Sequence, residues 1–191
     1  LHGESQVGTG WGSTEERGVI LAASLIAQGL SEDRSVGLAD NGTEPAWHVP
    51  RRNEYQQRSL LKSLAVASPS GMELKDYLFR TNKAFGSRCS LLIITACADA
   101  DWTQSLLPLM WRGVLPTVFL FDVNTFGGQA NTRQLSSVLG SLGVPCHVIP
   151  KELLDKPQAR PGHEGEWEWR ISGTGKAHAV NRPVEEWRGL G

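Results

Sequence analysis

Cys89-Ser90-Leu91-Leu92-Ile93-Ile94-Thr95 decides the fold. Four large aliphatic residues stand in a row, with no charge among them. An uninterrupted apolar run of this length, rich in Ile, fits a strand buried on both faces. Two further runs of the same kind follow, Val114 to Phe121 and Val144 to Ile149. Helical segments separate them: Trp102 to Trp111, and Thr132 to Leu142 with Gly143 behind it. Apolar strands alternating with helices predict an α/β fold, a mostly parallel, doubly wound, Rossmann-like sheet with helices on both faces.

Upstream, Ser13 begins a helix over Thr14 to Leu30. Its hydroxyl can accept from the third helical amide while Glu16 reaches back to the Ser13 amide, the capping-box arrangement. Apolar residues on more than one face predict a mostly buried helix. Arg34 to Ala39 and Ala46 to Val49 read as paired strands around Asp40-Asn41-Gly42, with Pro50 as the stop. Helices over Glu54 to Ala67 and Met72 to Phe85 are separated by Ser68-Pro69-Ser70-Gly71.

Downstream, Leu153 and Leu154 close this region, and Pro157 and Pro161 mark a linker. Glu166 to Ile171 alternates, Gly173-Thr174-Gly175 turns, and Lys176 to Val180 pairs back, which predicts a small C-terminal β-hairpin extension. The domains expected are residues 1–155 and the extension 156–191.

Composition narrows the function. The chain of 191 residues is 40% apolar and 20% charged, as a globular protein is, and its net charge of -1 gives no electrostatic reason to bind nucleic acid. The longest apolar stretch, Val19 to Ala27, falls far short of the roughly 20 residues that cross a bilayer, so no membrane contact is expected within this segment. No basic region followed by an apolar one opens the sequence, so no signal peptide is expected. Cys89, Cys97 and Cys146 lack metal-ligand spacing and read as buried, reduced thiols of a cytoplasmic protein.

Few residues suggest chemistry. The opening glycines lack the Gly-Lys-Ser/Thr of a phosphate loop, and Glu15 and Glu16 put negative charge where a phosphate would sit. Ser59-Leu60-Leu61-Lys62 matches an acyl-transfer spelling without its companion motifs. Asp99 and Asp101 follow the strand ending at Thr95, on the edge where open α/β sheets bind ligands. They read as a helix cap or as oxygen ligands for Mg²⁺. Asp122 follows the next strand in the same way.

Taken together, Ser13-Thr14-Glu15-Glu16, Val19 to Leu25, Val36-Gly37-Leu38, Leu91 to Thr95, Gly113 to Val118 and Leu142-Gly143-Val144-Pro145 resemble the family catalogued as domain of unknown function fifty-eight. The likeness covers about residues 1 to 150 and rests on order and spacing, not on one motif. It implies a von Willebrand factor A-like domain without catalytic activity in a larger bacterial protein. Its implied role is to bind a protein partner, a MoxR-type AAA+ ATPase, in assembly or maturation of other proteins. The resemblance also implies membrane helices upstream, tethering a cytoplasmic module to the inner membrane.

The same resemblance implies an adhesion-type metal site. Its Asp-x-Ser-x-Ser loop is not found here; Ser5 and Ser13 are the only serines among the first 13 residues. Asp99 and Ser70 are the remaining counterparts. One acid and one hydroxyl make a degenerate site, with no resident cofactor expected and Mg²⁺ as the ion it would take. The expected partner-binding loops carry His2, Glu4, Ser68, Ser70, Asp99 and Asp101. The alternative is a metal-dependent hydrolase using acidic residues on this edge, Asp99, Asp101 and Asp122 with His2.

In such a fold the first central strand lies between the strands near Val36 and Ile93, and Leu1 would be its last residue. Buried unpaired backbone groups cost roughly 1–3 kcal/mol each. A whole strand of them rivals a domain's stability of about 5–15 kcal/mol. The functional chain is therefore expected to include residues upstream of Leu1.

Overall fold

The computed structural model describes residues 6–42, 46–69, 71–155, 168–171 and 177–181. The chain divides into two compact units, Leu1–Lys151 and Glu152–Gly191.

The first unit is α/β. Helix α1 (Thr14–Ser31) leads to β1 (Val36–Asp40) and β2 (Ala46–Arg51), then to α2 (Glu54–Ala65) and α3 (Leu74–Thr81). Strand β3 (Ser90–Thr95) follows, then a 3-10 segment (Asp101–Leu106) running into α4 (Leu107–Trp111) and β4 (Leu115–Phe121). A 3-10 turn (Val123–Phe126), α5 (Thr132–Ser141) and β5 (Cys146–Ile149) complete the series before α6 (Lys151–Asp155), in which the unit boundary falls.

Strands β3, β4 and β5 form a parallel sheet in that order, with Ile93 opposite Val118 and Leu120 opposite Val148. The three apolar runs are therefore neighbours in one parallel sheet, as expected. β1 and β2 form a separate antiparallel pair, with Leu38 opposite His48. A single doubly wound sheet is thus more than the described residues show. The burial expected of β3 is also incomplete. Ile93 is buried, but Leu92 is 46% exposed, and among the described residues β3 lies at the margin of the sheet. β4, flanked on both sides, holds the fully buried Val118 and Leu120.

The core lies around this sheet. Leu78, Trp102, Leu106, Leu109, Leu135 and Leu139 pack in one cluster with the inner faces of β3 and β4. A second cluster joins Ile26 of α1 to Leu60 and Leu64 of α2. Burying such a side chain contributes about 1.5–3 kcal/mol, so these clusters hold the elements together.

Local chemistry explains several boundaries. Ser13 Oγ accepts the Glu16 amide at 3.2 Å, but the Ser13 amide goes to Gly10 O at 3.0 Å, so only half of the capping box forms. Helix α1 is only partly buried, with Gly18 and Ile26 inward and Ile20 exposed. Pro50 does not stop β2, which continues to Arg51. A proline is tolerated in a strand where its missing N–H faces no partner. The helix expected from Trp102 splits, because Pro108 lies where an α-helical first turn starts and the preceding turn stays 3-10. Gly143, at φ +74, ends α5 in the left-handed turn that glycine adopts without strain.

In the second unit, β6 (Glu168–Ile171) pairs antiparallel with β7 (Ala177–Asn181). No helix among the described residues is long and apolar enough to cross a membrane.

Candidate functional site

The carboxyl ends of β3 and β4 open into a cavity of about 480 Å³. Four separated segments wall it: Val7; Glu73 to Lys75; Ala96 to Asp99 with Asp101 and Trp102; and Val123 with Gln129 to Asn131.

The first wall is the loop after β3. Thr95 Oγ1 accepts the Cys97 amide at 3.0 Å and turns the chain out of the sheet. Asp99 Oδ1 then accepts the Asp101 amide at 3.0 Å, an Asx turn that sets up the 3-10 segment. Thr103 fastens the loop from below, its amide and its hydroxyl both donating to Ala100 O, at 3.0 and 2.7 Å. The Trp102 indole lines the cavity at 2% exposure, and its buried Nε1–H has no hydrogen-bond partner among the described residues.

The second wall follows β4. Asn124 ties this loop together: its amide nitrogen donates to Asp122 Oδ1 and Ala130 O, both at 2.9 Å, and its Oδ1 accepts the Ala130 amide at 3.1 Å. Asn131 caps α5 by accepting the Gln134 amide at 3.1 Å. Val7 closes this side. Its carbonyl accepts the Thr14 amide at 2.9 Å, and its amide donates to Thr14 Oγ1 at 3.0 Å. A Cβ on Gly128 would meet the Val7 side chain at 2.8 Å, so the glycine permits this close approach. The third wall is the start of α3, joined to the 3-10 segment by Ser105 Oγ donating to Lys75 O at 3.5 Å.

The electrostatics are acidic. Glu73, Asp99 and Asp101 face one ammonium, Lys75. Burial pushes the Cys97 thiol above its ordinary pKa; an amide from Asp99 lowers it, and the Asp99 and Glu73 charges raise it again. A thiol so shifted is not the thiolate a nucleophile requires. Among the described residues no three His, Cys, Asp or Glu side chains are grouped to hold a metal ion. Asp99, the acid expected to hold Mg²⁺, already has Oδ1 committed to the Asp101 amide. Ser70, the other residue expected at that site, lies outside the described residues.

The residues singled out from sequence scatter. Asp99 and Asp101 both reach the cavity. Ser68 adjoins Pro69, whose backbone bridges to Gly42, and it does not line the cavity. Asp122 caps the 3-10 turn after β4, its Oδ1 accepting the amide of Asn124 at 3.3 Å as well as its side chain, and it does not line the cavity. His2, Glu4 and Ser70 lie outside the described residues. Sequence reasoning passed over Glu73, Lys75, Gln129 and Asn131. Asn131 was findable, since Asn before Thr132 is a helix-start signal on the ligand-binding edge. Glu73 carried no such signal.

No family model, curated protein or solved structure matches the chain.

Proposed function

We propose that this chain is a non-catalytic, von Willebrand factor A-like binding module that grips a protein partner with the cavity beyond β3 and β4. The observation that carries this reading is the convergence of four chain segments on one concave, acid-rimmed site at the carboxyl edge of a parallel sheet. Ligands of open α/β sheets dock on that edge. Its rim is chemically suited to a partner's basic side chain. Val7, Leu74, Ala96 and Val123 offer apolar surface for an aliphatic stem, and Glu73, Asp99 and Asp101 offer charge for its head.

The partner we assign, from the family resemblance, is a MoxR-type AAA+ ATPase acting in assembly or maturation of other proteins. In this reading the module works in the cytoplasm, tethered to the inner membrane by helices upstream, and β6 and β7 form a hairpin extension. Calorimetry of the purified chain with a MoxR-type ATPase from the same genome tests it. Expected are saturable binding, weakening with added salt, and at least a tenfold loss in Asp101→Lys. No binding, or binding indifferent to Asp101→Lys, overturns the assignment.

A further inference from the structure

We propose that the Asn41-Gly42 pair is a site of spontaneous deamidation, and that its conversion unlatches the Glu73 wall of the cavity. It is the one Asn-Gly pair in the chain. Asparagine is a thermolabile side chain. A glycine behind it has no Cβ to hinder the approach of its own amide nitrogen to the asparagine Cγ. Asn53, Asn82, Asn124 and Asn131 are followed by Glu, Lys, Thr and Thr, which do carry that Cβ.

The pair holds a wall of the cavity in place. Asn41, just past the end of β1, is 6% exposed and donates from Nδ2 to Met72 O at 2.9 Å. Gly42 makes an antiparallel backbone bridge to Pro69. A Cβ on Gly42 would meet Ser68 O and Asp40 Oδ2, each at 3.0 Å, so the backbone lies close against both. The end of β1 therefore clamps the connection between α2 and α3 at two points. The second point, Met72, is the residue before Glu73, and Glu73 to Lys75 line the cavity.

The chemistry is a ring closure followed by hydrolysis. Gly42 N attacks Asn41 Cγ; the N–Cγ bond forms, the Cγ–Nδ2 bond breaks, and ammonia leaves with the Gly42 amide proton. Water then opens the succinimide at either carbonyl, giving an aspartate or an isoaspartate. Water is the one co-reactant, and nothing is oxidised or reduced. Either product has lost the Nδ2–H that Met72 O accepts and has gained a carboxylate next to Asp40, whose own carboxyl is already raised by burial. The attack requires Asn41 to leave Met72 O and turn toward Gly42. That opening breaks one side-chain bond and one isolated bridge at a strand end, and strand ends open locally more readily than a core does.

The inference holds whatever the cavity binds. Its test is a time course of the 191-residue protein in warm, mildly alkaline buffer, folded and in urea. Peptide mass spectrometry reads conversion at each asparagine, and NMR amide shifts read the wall. Expected is conversion at Asn41 ahead of the other asparagines, about tenfold slower in the folded protein than in urea. The shifts of Glu73 to Lys75 should move in step with it, and Asn41→Asp should show the moved shifts from the start. An Asn41 that stays intact in the folded protein overturns the modification. Conversion that leaves Glu73 to Lys75 unmoved overturns the latch. If Asn41→Asp does not fold, the time course decides alone, since it starts from folded protein.

Discussion

Asp99 Oδ1 accepts the backbone amide of Asp101 at 3.0 Å, and this bond leads the loop after β3 into the 3-10 segment at the cavity rim. The two carboxylates differ in consequence. Asp99 shapes the loop through Oδ1, and Asp101 is exposed at the first position of the 3-10 segment.

Asp99→Ala removes the acceptor and leaves the exposed Asp101 amide to water. The expected loss of stability is about 0.5–1.5 kcal/mol, the net worth of one hydrogen bond. Asp99→Asn keeps an acceptor oxygen and should recover most of it. Urea denaturation of the three proteins measures the difference; equal losses in the Ala and Asn variants would show that the bond is not what matters.

Leu120→Ala empties a fully buried position in the middle strand and should cost about 2–5 kcal/mol. Leu92→Ala, on the outer strand at 46% exposure, should cost under about 1 kcal/mol. The contrast in urea midpoints tests the difference in burial between the two positions. A large cost at Leu92 in this 191-residue chain would mean that β3 is already covered on both faces.

Tyr77 and Asp40 give the fold a pH dependence. Burial, and then the Asp40 charge, pushes the Tyr77 phenol up to about 12. Burial raises the Asp40 carboxyl as well, from its ordinary 3.8. Both are acids whose folded pKa lies above the unfolded one. Each contributes stability that is complete below the unfolded pKa and is lost as pH rises through the folded pKa. For Asp40 that loss begins above 3.8; for Tyr77 it runs from about 10 to about 12. Asp40→Asn should therefore stabilise the protein at neutral pH and bring the Tyr77 titration down, as followed by phenolate absorbance. A Tyr77 curve unmoved by Asp40→Asn would contradict the coupling.

Cys97 should react sluggishly with iodoacetamide at neutral pH, because burial and the neighbouring acids hold the thiol protonated. Removing charge with Asp99→Asn and Glu73→Gln should speed alkylation. Mass spectrometry of the labelled peptide reads the rate, and a fast reaction in the unaltered protein would mean a far more open cavity floor.

What the sequence made legible follows from the physics of each signal. Leu91 to Ile94, Val114 to Phe121 and Val144 to Ile149 announce strands because a strand buried on both faces leaves a short, continuous apolar run. Ser13 announces α1 because a cap is local. The place of β3 in its sheet was not legible, since pairing depends on residues far apart in the chain. For the same reason the cavity was half visible. Asp99 and Asp101 could be placed from the end of one strand, but Glu73 and Val7 reach the site through contacts that no spacing encodes. The exposed face of α1 was misjudged because Ile20 counts as apolar wherever it points.

The role of the cavity can be mapped residue by residue. Backbone amide shifts of the isotopically labelled chain, recorded as a MoxR-type ATPase is titrated in, should change at Val7, Glu73 to Lys75, Cys97 to Trp102 and Gln129 to Asn131, and little on β5 or α2. Changes confined to β5, α2 or the second unit, with these four segments silent, would contradict a binding role for the carboxyl edge of the sheet.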